Sequence, residues 1–101
     1  MHASENFRLI KFMKIKLFGG LRQKAGTAEL NGSGGTVREV LQEISAENDG
    51  LSEALFVDGA EDLRPHIRIM VNGIDSELMA GLETAVSGDD QLAIFPPIAG
   101  G

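Results

Sequence analysis

The last six residues, PPIAGG, hold the chemistry that this sequence offers most clearly. Pro96 and Pro97 have no backbone N–H to give to a neighbouring strand, so a sheet has to end at Phe95. Consecutive prolines favour an extended conformation, in which six residues reach about 19 Å at roughly 3.1 Å per residue. The two final glycines lack a Cβ and can pass a channel too narrow for other residue pairs. The segment therefore predicts a thin arm that brings a C-terminal carboxylate into another protein's active site.

A frayed chain end is the alternative interpretation of the same residues. Glycine makes up 13 of the 101 residues. Chance therefore places two glycines at the end with a frequency of roughly 2%, and average glycine usage makes it rarer still. The prolines before the glycines favour the arm.

Other residue patterns that could support chemistry are incomplete. The chain has no cysteine, which excludes disulfides, iron–sulfur clusters, thiolate zinc sites and a cysteine nucleophile. Residues 31–36, NGSGGT, lack the spacing and the lysine of a phosphate-binding loop, and we interpret them as a connector before a helix. His2 and His66 are too few and too far apart for a metal site, and the acidic stretch 58–62 lacks calcium-loop spacing. We predict no metal site and no bound cofactor.

The charge balance also excludes some partners. The chain carries 9 basic and 15 acidic residues, a net charge of −6, and its lysines and arginines form no cluster that predicts nucleic-acid binding. No apolar run approaches the roughly 18 residues of a membrane-spanning helix, so we expect no membrane partner. The N-terminus lacks the apolar centre of a signal peptide, and a cytoplasmic location is expected.

Hydrophobic periodicity places the elements that position the arm. KIKLF, from Lys14, alternates apolar and charged residues as a strand does, and the phase breaks just before it. Residues 1–12 are therefore predicted to be an extension outside the core, the alternative being that Phe7 and Leu9 prolong the strand. A capping box, TVRE, opens a helix at Thr36, and an apolar stripe predicts that the helix runs to about Glu47. The stripe consists of Val37, Val40, Leu41 and Ile44.

The second half of the chain predicts three more strands. HIRIMVNG ends in Asn72-Gly73, a strong signal for a tight hairpin, with residues 74–77 as the return strand. Residues 91–95 form the final strand, with Leu92 and Ile94 facing inward. A single amphipathic helix has to bury its stripe on a sheet, which gives an α+β domain over residues 13–95, followed by the arm at 96–101. The element order suggests a β-grasp arrangement: one main helix on a mixed sheet of four to five strands, with the last strand parallel to the first.

Strand alternation also predicts a surface for a partner. Phe95 and Met70 point to the sheet face opposite the helix, and Arg68 lies on the same side. In a domain with one helix that face is open to water or is covered by a partner. We predict that these three residues bind a partner protein; the alternative is that they pack against the N-terminal extension.

Three stretches together resemble a known family. KIKLFGGLRQKAG, LRPHIRIMVNG and GDDQLAIFPPIAGG resemble the ubiquitin-like sulfur carriers, which include the molybdopterin synthase small subunit, the thiamine sulfur carrier and the small archaeal modifier proteins. The resemblance covers residues 13–101. Two features depart from the family pattern: the Gly19-Gly20 pair and the twelve additional N-terminal residues.

The resemblance implies a ubiquitin-like β-grasp fold and a specific chemistry at the chain end. Gly101 would be adenylated by an E1-like enzyme that uses ATP, and the tail would present it through Gly100, Ala99, Ile98, Pro97 and Pro96. A sulfur donor would then give a thiocarboxylate, for example for molybdopterin synthesis with the synthase large subunit. Attack by a lysine of a target protein would instead give an isopeptide bond.

The resemblance implies no catalytic side chain of the chain's own. The chain would be a co-substrate, or the sulfur-carrying small subunit of an enzyme such as molybdopterin synthase. The competing class of function is a plain β-grasp interaction module with an unreactive tail.

Overall fold

A computed structural model describes residues 12–57 and 62–97 of the chain. The elements in chain order are β1 (Met13–Leu17), α1 (Gly20–Ala25), β2 (Glu29–Gly32), α2 (Val37–Ala46), α3 (Asp49–Leu55), β3 (Phe56–Val57), β4 (Asp62–Leu63), β5 (Arg68–Val71), β6 (Ile74–Asp75) and β7 (Gln91–Phe95). Two short 3₁₀ helices, Ser76–Leu78 and Gly81–Glu83, connect β6 to β7. The predicted extension at residues 1–12 lies outside the described part except for Phe12.

Five strands form a mixed sheet in the order β2-β1-β7-β5-β6. The first and last strands pair in parallel at its centre, with Leu17 opposite Ile94, and the other pairs in this sheet are antiparallel. The prediction of an α+β fold, with a mixed sheet and parallel first and last strands, is confirmed. Strands β3 and β4 pair with each other in a separate two-stranded sheet.

The core lies between one face of the five-stranded sheet and the helices. Alternate residues of the two central strands are fully buried, as the period-2 pattern predicts, and the stripe of α2 covers them. Met13, the first residue of β1, is buried as well, whereas the preceding Phe12 is 57% exposed. The largest fully buried side chains are Met13, Ile15, Leu17, Leu41, Leu51, Leu55, Leu92 and Ile94.

Helix α2 begins with the predicted capping box. The Glu39 backbone N–H donates to Thr36 Oγ1 at 3.1 Å, while the Glu39 carboxylate accepts from the Gly35 backbone N–H at 2.8 Å. The helix ends at Ala46, one residue before the predicted Glu47. Asn48-Asp49-Gly50 indicates the end of this helix from sequence, but Asn48 also caps α3, because its Oδ1 accepts from the backbone N–H of Leu51.

The connector before α2 is held in place by the helix itself. One carboxylate oxygen of Glu43 accepts from the backbone N–H groups of Ser33 (2.8 Å) and Gly34 (3.1 Å), and the other accepts from the Ser33 hydroxyl at 2.9 Å. The glycine at position 34 is required sterically, since a Cβ there would lie 2.8 Å from the Cβ of Glu39. Three hydrogen bonds therefore fix a segment that the sequence presents only as a turn-rich link.

Three segments differ from the predicted elements. The glycines at 19, 20 and 26 indicate a turn-rich stretch, but residues 20–25 form a helix. The short apolar segment 51–56 suggests a single helical turn, but a helix of seven residues spans 49–55. Strand β6 ends at Asp75 rather than at residue 77. In the first case, glycines stand at both ends of a short helix that buries only Leu21. In the last, Asp75 caps a 3₁₀ helix by accepting from the backbone N–H of Glu77, which ends the strand early.

Candidate functional site at the base of the C-terminal segment

The predicted partner-binding residues lie together on the sheet face opposite α2. In β7, Leu92 and Ile94 are buried beneath the helices, so Phe95 points to the other face. The antiparallel register with β5 places Arg68 directly opposite Phe95, and Met70 lies two residues further along the same face. Met70 and Phe95 are half-buried and Arg68 is exposed.

These residues line a groove at the point where the chain leaves the sheet. The groove has a volume of about 910 Å³ and is mostly apolar. Ile98, Ala99, Gly100 and Gly101, which the sequence predicts to carry the reactive end, lie outside the described residues. The lining residues are Phe18, Gly19, His66, Arg68, Met70, Phe95, Pro96 and Pro97. Five of these eight were predicted, and the first three were not.

Phe18 completes the aromatic part of the groove. Its ring stacks on that of Phe95, with centroids 4.5 Å apart and planes within 10° of parallel. Its backbone N–H donates to the carbonyl of Ile94 at 3.1 Å, which continues the parallel pairing one residue beyond β1. The stretch KIKLF could have predicted this position, because strand alternation places Phe18 on the same outward face as Lys14 and Lys16.

Arg22, in helix α1, contacts the ring of Phe18. Its Nε–H donates to the carbonyl of Leu17 at 2.9 Å, and its guanidinium carbon lies 5.4 Å from the centre of the Phe18 ring. A guanidinium at that distance from an aromatic face is attracted by about 0.5–1 kcal/mol at an exposed site. No sequence pattern pointed to Arg22, because α1 itself was interpreted as a turn.

Gly19 lies directly against the first proline of the tail. A Cβ at this position would come within 2.9 Å of Pro96 Cγ. Its φ of 59° is in the left-handed region, which favours glycine. Two independent constraints therefore require glycine at the first position of the Gly19-Gly20 pair.

The rim of the groove carries the positive charge of Arg68, which is paired with a carboxylate. Arg68, whose side chain is 67% exposed, forms an ion pair of 3.3 Å with Asp75 on the neighbouring strand. Lys16 lies on the same sheet face, because the parallel register places it opposite Ala93. The groove thus combines apolar side chains with the guanidinium of Arg68 at its rim.

The lining residues do not form a catalytic centre of a familiar type. They contribute one imidazole and one guanidinium but no hydroxyl, thiol or carboxylate. Within residues 12–57 and 62–97, no three His, Cys, Asp or Glu side chains are placed to hold a metal ion. None of the helices in that part of the chain is long and apolar enough to cross a membrane.

The fold and the groove define a ubiquitin-like β-grasp protein whose C-terminal strand runs into Pro96 and Pro97 beside the groove. The ThiS family model matches residues 15–101. The chain belongs to the ThiS family.

Curated relatives and solved structures agree with this assignment. Small archaeal modifier protein 3 of Haloferax volcanii is 32% identical over 92 residues, covering 88% of this chain and 98% of that protein. The sulfur carrier protein CysO of Mycobacterium tuberculosis is 32% identical over 77 residues, covering 75% of this chain and 83% of that protein. The solution structure of small archaeal modifier protein 1 from Methanosarcina acetivorans superposes with a TM-score of 0.81 at 36% identity, covering 91% of this chain and 98% of that one.

Proposed function

We propose that this protein is a ubiquitin-like carrier or modifier whose reactive group is the carboxylate of Gly101. The observation that carries the proposal is the end of β7. The last strand of the sheet stops at Phe95, and Pro96 and Pro97 continue from it along an apolar groove. Relatives of this chain carry the names of a protein modifier and of a sulfur carrier, and both roles use an activated chain end.

A free carboxylate is a poor electrophile, so activation has to come first. In the proposed reaction a carboxylate oxygen of Gly101 attacks the α-phosphorus of ATP on an E1-like enzyme. A carbon–oxygen–phosphorus linkage forms, the bond from the α-phosphorus to the bridging oxygen breaks, and pyrophosphate leaves. ATP is thus consumed by the partner enzyme, and this chain supplies the acyl group.

The acyl-adenylate then reacts with one of two nucleophiles. A sulfide-level sulfur donor attacks the carbonyl carbon and expels AMP, which leaves a thiocarboxylate able to deliver sulfur, for example to the large subunit of molybdopterin synthase. The amine of a target lysine attacks the same carbon, loses a proton to solvent and expels AMP, which leaves an isopeptide bond. Both outcomes need the same tail, and we propose the shared activation step for this chain.

The groove is the proposed docking surface for the activating enzyme. Phe95 and Met70 supply half-buried apolar area beside the tail, and Arg68 supplies a charge at the rim. Aromatic residues at the centre of an interface typically cost about 2 kcal/mol or more of binding energy when truncated. Phe95 also stacks on Phe18 within its own chain, so Phe95→Leu is the milder variant with which to measure this contribution.

The direct test is ATP–pyrophosphate exchange with the purified cognate E1-like enzyme. Deleting Gly100 and Gly101 is expected to abolish exchange and to leave the melting temperature unchanged, because neither residue can bury a side chain. A second variant adds one alanine after Gly101; it keeps every native residue and removes only the free glycine carboxylate. Undiminished exchange in either variant would refute the proposal.

The second candidate function, an interaction module with an unreactive tail, is favoured by the groove alone. The groove is lined by residues up to Pro97 and would bind a partner without the last glycines. Such a module would tolerate the added alanine in a partner-binding assay. The intact mass of protein isolated from its own host separates the two products: exchange of one oxygen for sulfur indicates a carrier. Gly-Gly remnants on lysines of other proteins indicate a modifier.

A further inference from the structure

Two residues far from the tail in sequence, Phe18 and Gly19, contact the point where the tail leaves the domain, and Arg22 contacts Phe18. Phe18, Gly19 and Arg22 follow β1, whereas the tail follows β7. We call these three residues the exit platform. None of them is part of the hydrophobic core, so the contacts of Phe18 and Gly19 with the end of β7, and that of Arg22 with Phe18, need an explanation other than core packing.

The platform fixes the last residue of the strand. The Phe18 backbone is hydrogen-bonded to Ile94, so the position of its ring is tied to the end of β7. Stacking at 4.5 Å then restricts the ring of Phe95. Arg22 restricts Phe18 in turn, because the same guanidinium contacts the ring and donates to the carbonyl of Leu17.

The platform also fixes the first residue of the tail. Gly19 presents its bare Cα to Pro96, and any side chain there would occupy the space of the proline ring. A proline ring held in this way sets the direction of the next peptide, since the ring restricts φ to about −65°. The direction in which the chain leaves Pro96 is therefore determined by residues 17–22 as well as by β7.

We propose that Phe18, Gly19 and Arg22 are positioning residues, which set the direction in which residues 98–101 leave the domain and so control how efficiently the carboxylate is activated. The inference rests on the proposed function. Displacing reacting groups by about 1 Å can lower a rate by about 100-fold. Glycine restricts its own backbone less than any other residue, so the residues at the base of the tail are the ones that can impose a direction.

The chain offers a matched pair of variants for the test. Gly19 and Gly26 flank the same helix, and both have positive φ, 59° and 78°. A Cβ at Gly19 meets Pro96, whereas a Cβ at Gly26 has nothing within 4 Å. In pyrophosphate exchange with the cognate enzyme, Gly19→Ala is expected to lower kcat by about 10- to 100-fold with KM changed less than about threefold. Gly26→Ala is expected to match the wild type in both constants.

A second pair of variants keeps the test decisive if Gly19→Ala does not fold. Arg22 is exposed, so Arg22→Ala leaves the core intact and is expected to lower kcat as well. Arg22→Lys is expected to recover part of the loss, because a lysine keeps a cation near the ring but lacks the guanidinium Nε–H. Equal kcat for wild type, Arg22→Ala and Gly19→Ala would overturn the inference. So would a loss in Gly26→Ala as large as that in Gly19→Ala.

NMR separates failure of this inference from failure of the proposed function. If the wild-type protein gives no exchange at all, the proposed function fails, and the spectra alone then decide the positioning role. Gly19→Ala is expected to shift the backbone amide signals of residues 98–100 and to remove contacts between the protons of residue 19 and the Pro96 ring. Gly26→Ala is expected to leave both unchanged. Unshifted tail signals in Gly19→Ala would refute the role of the platform.

Discussion

Gly50 in helix α3 packs against the backbone of helix α1, and we expect Gly50→Ala to destabilise the protein. A Cβ added at Gly50 would fall well inside 3.0 Å of the carbonyl oxygen of Lys24, a backbone atom that cannot swing aside. The same contact is held by Asn48, whose Nδ2–H donates to the carbonyl of Ala25 at 2.8 Å. Relief of the clash therefore requires α3 to move away from α1.

The expected change in the free energy of unfolding has three contributions, two that lower it and one that raises it. Forcing extra volume into a packed contact costs about 1–3 kcal/mol. Loss of the Asn48–Ala25 hydrogen bond adds about 1 kcal/mol. Replacing glycine by alanine within a helix returns about 0.5–1 kcal/mol through helix propensity. The free energy of unfolding is thus expected to fall by about 2 kcal/mol, the middle of this range.

The assay is denaturant unfolding followed by circular dichroism, with Gly20→Ala as the control. Gly20 is the first residue of α1, has no positive φ, and a Cβ there meets nothing within 4 Å. The control is expected to be neutral or stabilised by up to about 1 kcal/mol. If Gly50→Ala unfolds at the wild-type midpoint with an unchanged denaturant slope, the close approach of the two helices contributes nothing and the reasoning is wrong.

Three further substitutions can be measured in the same unfolding series. Ser45→Ala is expected to stabilise by about 1 kcal/mol, because the Ser45 hydroxyl is buried without a hydrogen-bond partner and alanine is the better helix former; any loss of stability would contradict this. Leu41→Ala is expected to cost about 2–5 kcal/mol at its fully buried site, against less than about 0.5 kcal/mol for Glu47→Ala on the surface. Glu43→Ala is expected to cost about 1–2 kcal/mol, because three donors of the connector lose their acceptor; a neutral result would show that the connector does not need the carboxylate.

The elements that were predictable from sequence are those in which one periodicity is unambiguous. In β1, apolar and charged residues alternate over five positions, and in β7 Leu92 and Ile94 were predicted to face inward; the structure buries these residues as predicted. Helix α2 has both a start signal at Thr36 and a stripe of four apolar residues. The end of the final strand at Phe95 was also predictable, because consecutive prolines have no backbone N–H with which to continue a sheet.

The helices that were not predicted have residues at their ends that are compatible with two different local structures. Asn48 stands between two helices, and the same side chain that could help to end α2 instead caps α3. Helix α1 is six residues long and is bounded by Gly19 and Gly26, so its glycines resemble a turn. Of its five side chains only Leu21 is buried, which leaves no apolar stripe to detect.

The contacts of the candidate site depend on topology more than on local sequence. Arg22 and Phe95 contact the same ring, that of Phe18, although they are far apart in the chain, and no local pattern reports such a contact. The parallel pairing of β1 with β7 creates it. Two parallel strands end at the same edge of the sheet, so the residues that follow Leu17 necessarily lie beside those that follow Phe95.

If β1 ran antiparallel to β7, the start of β1 would lie at that edge of the sheet, and the exit platform would be at the opposite end. The central parallel pair is therefore the feature of the fold that brings a glycine, an aromatic ring and an arginine to the base of the tail.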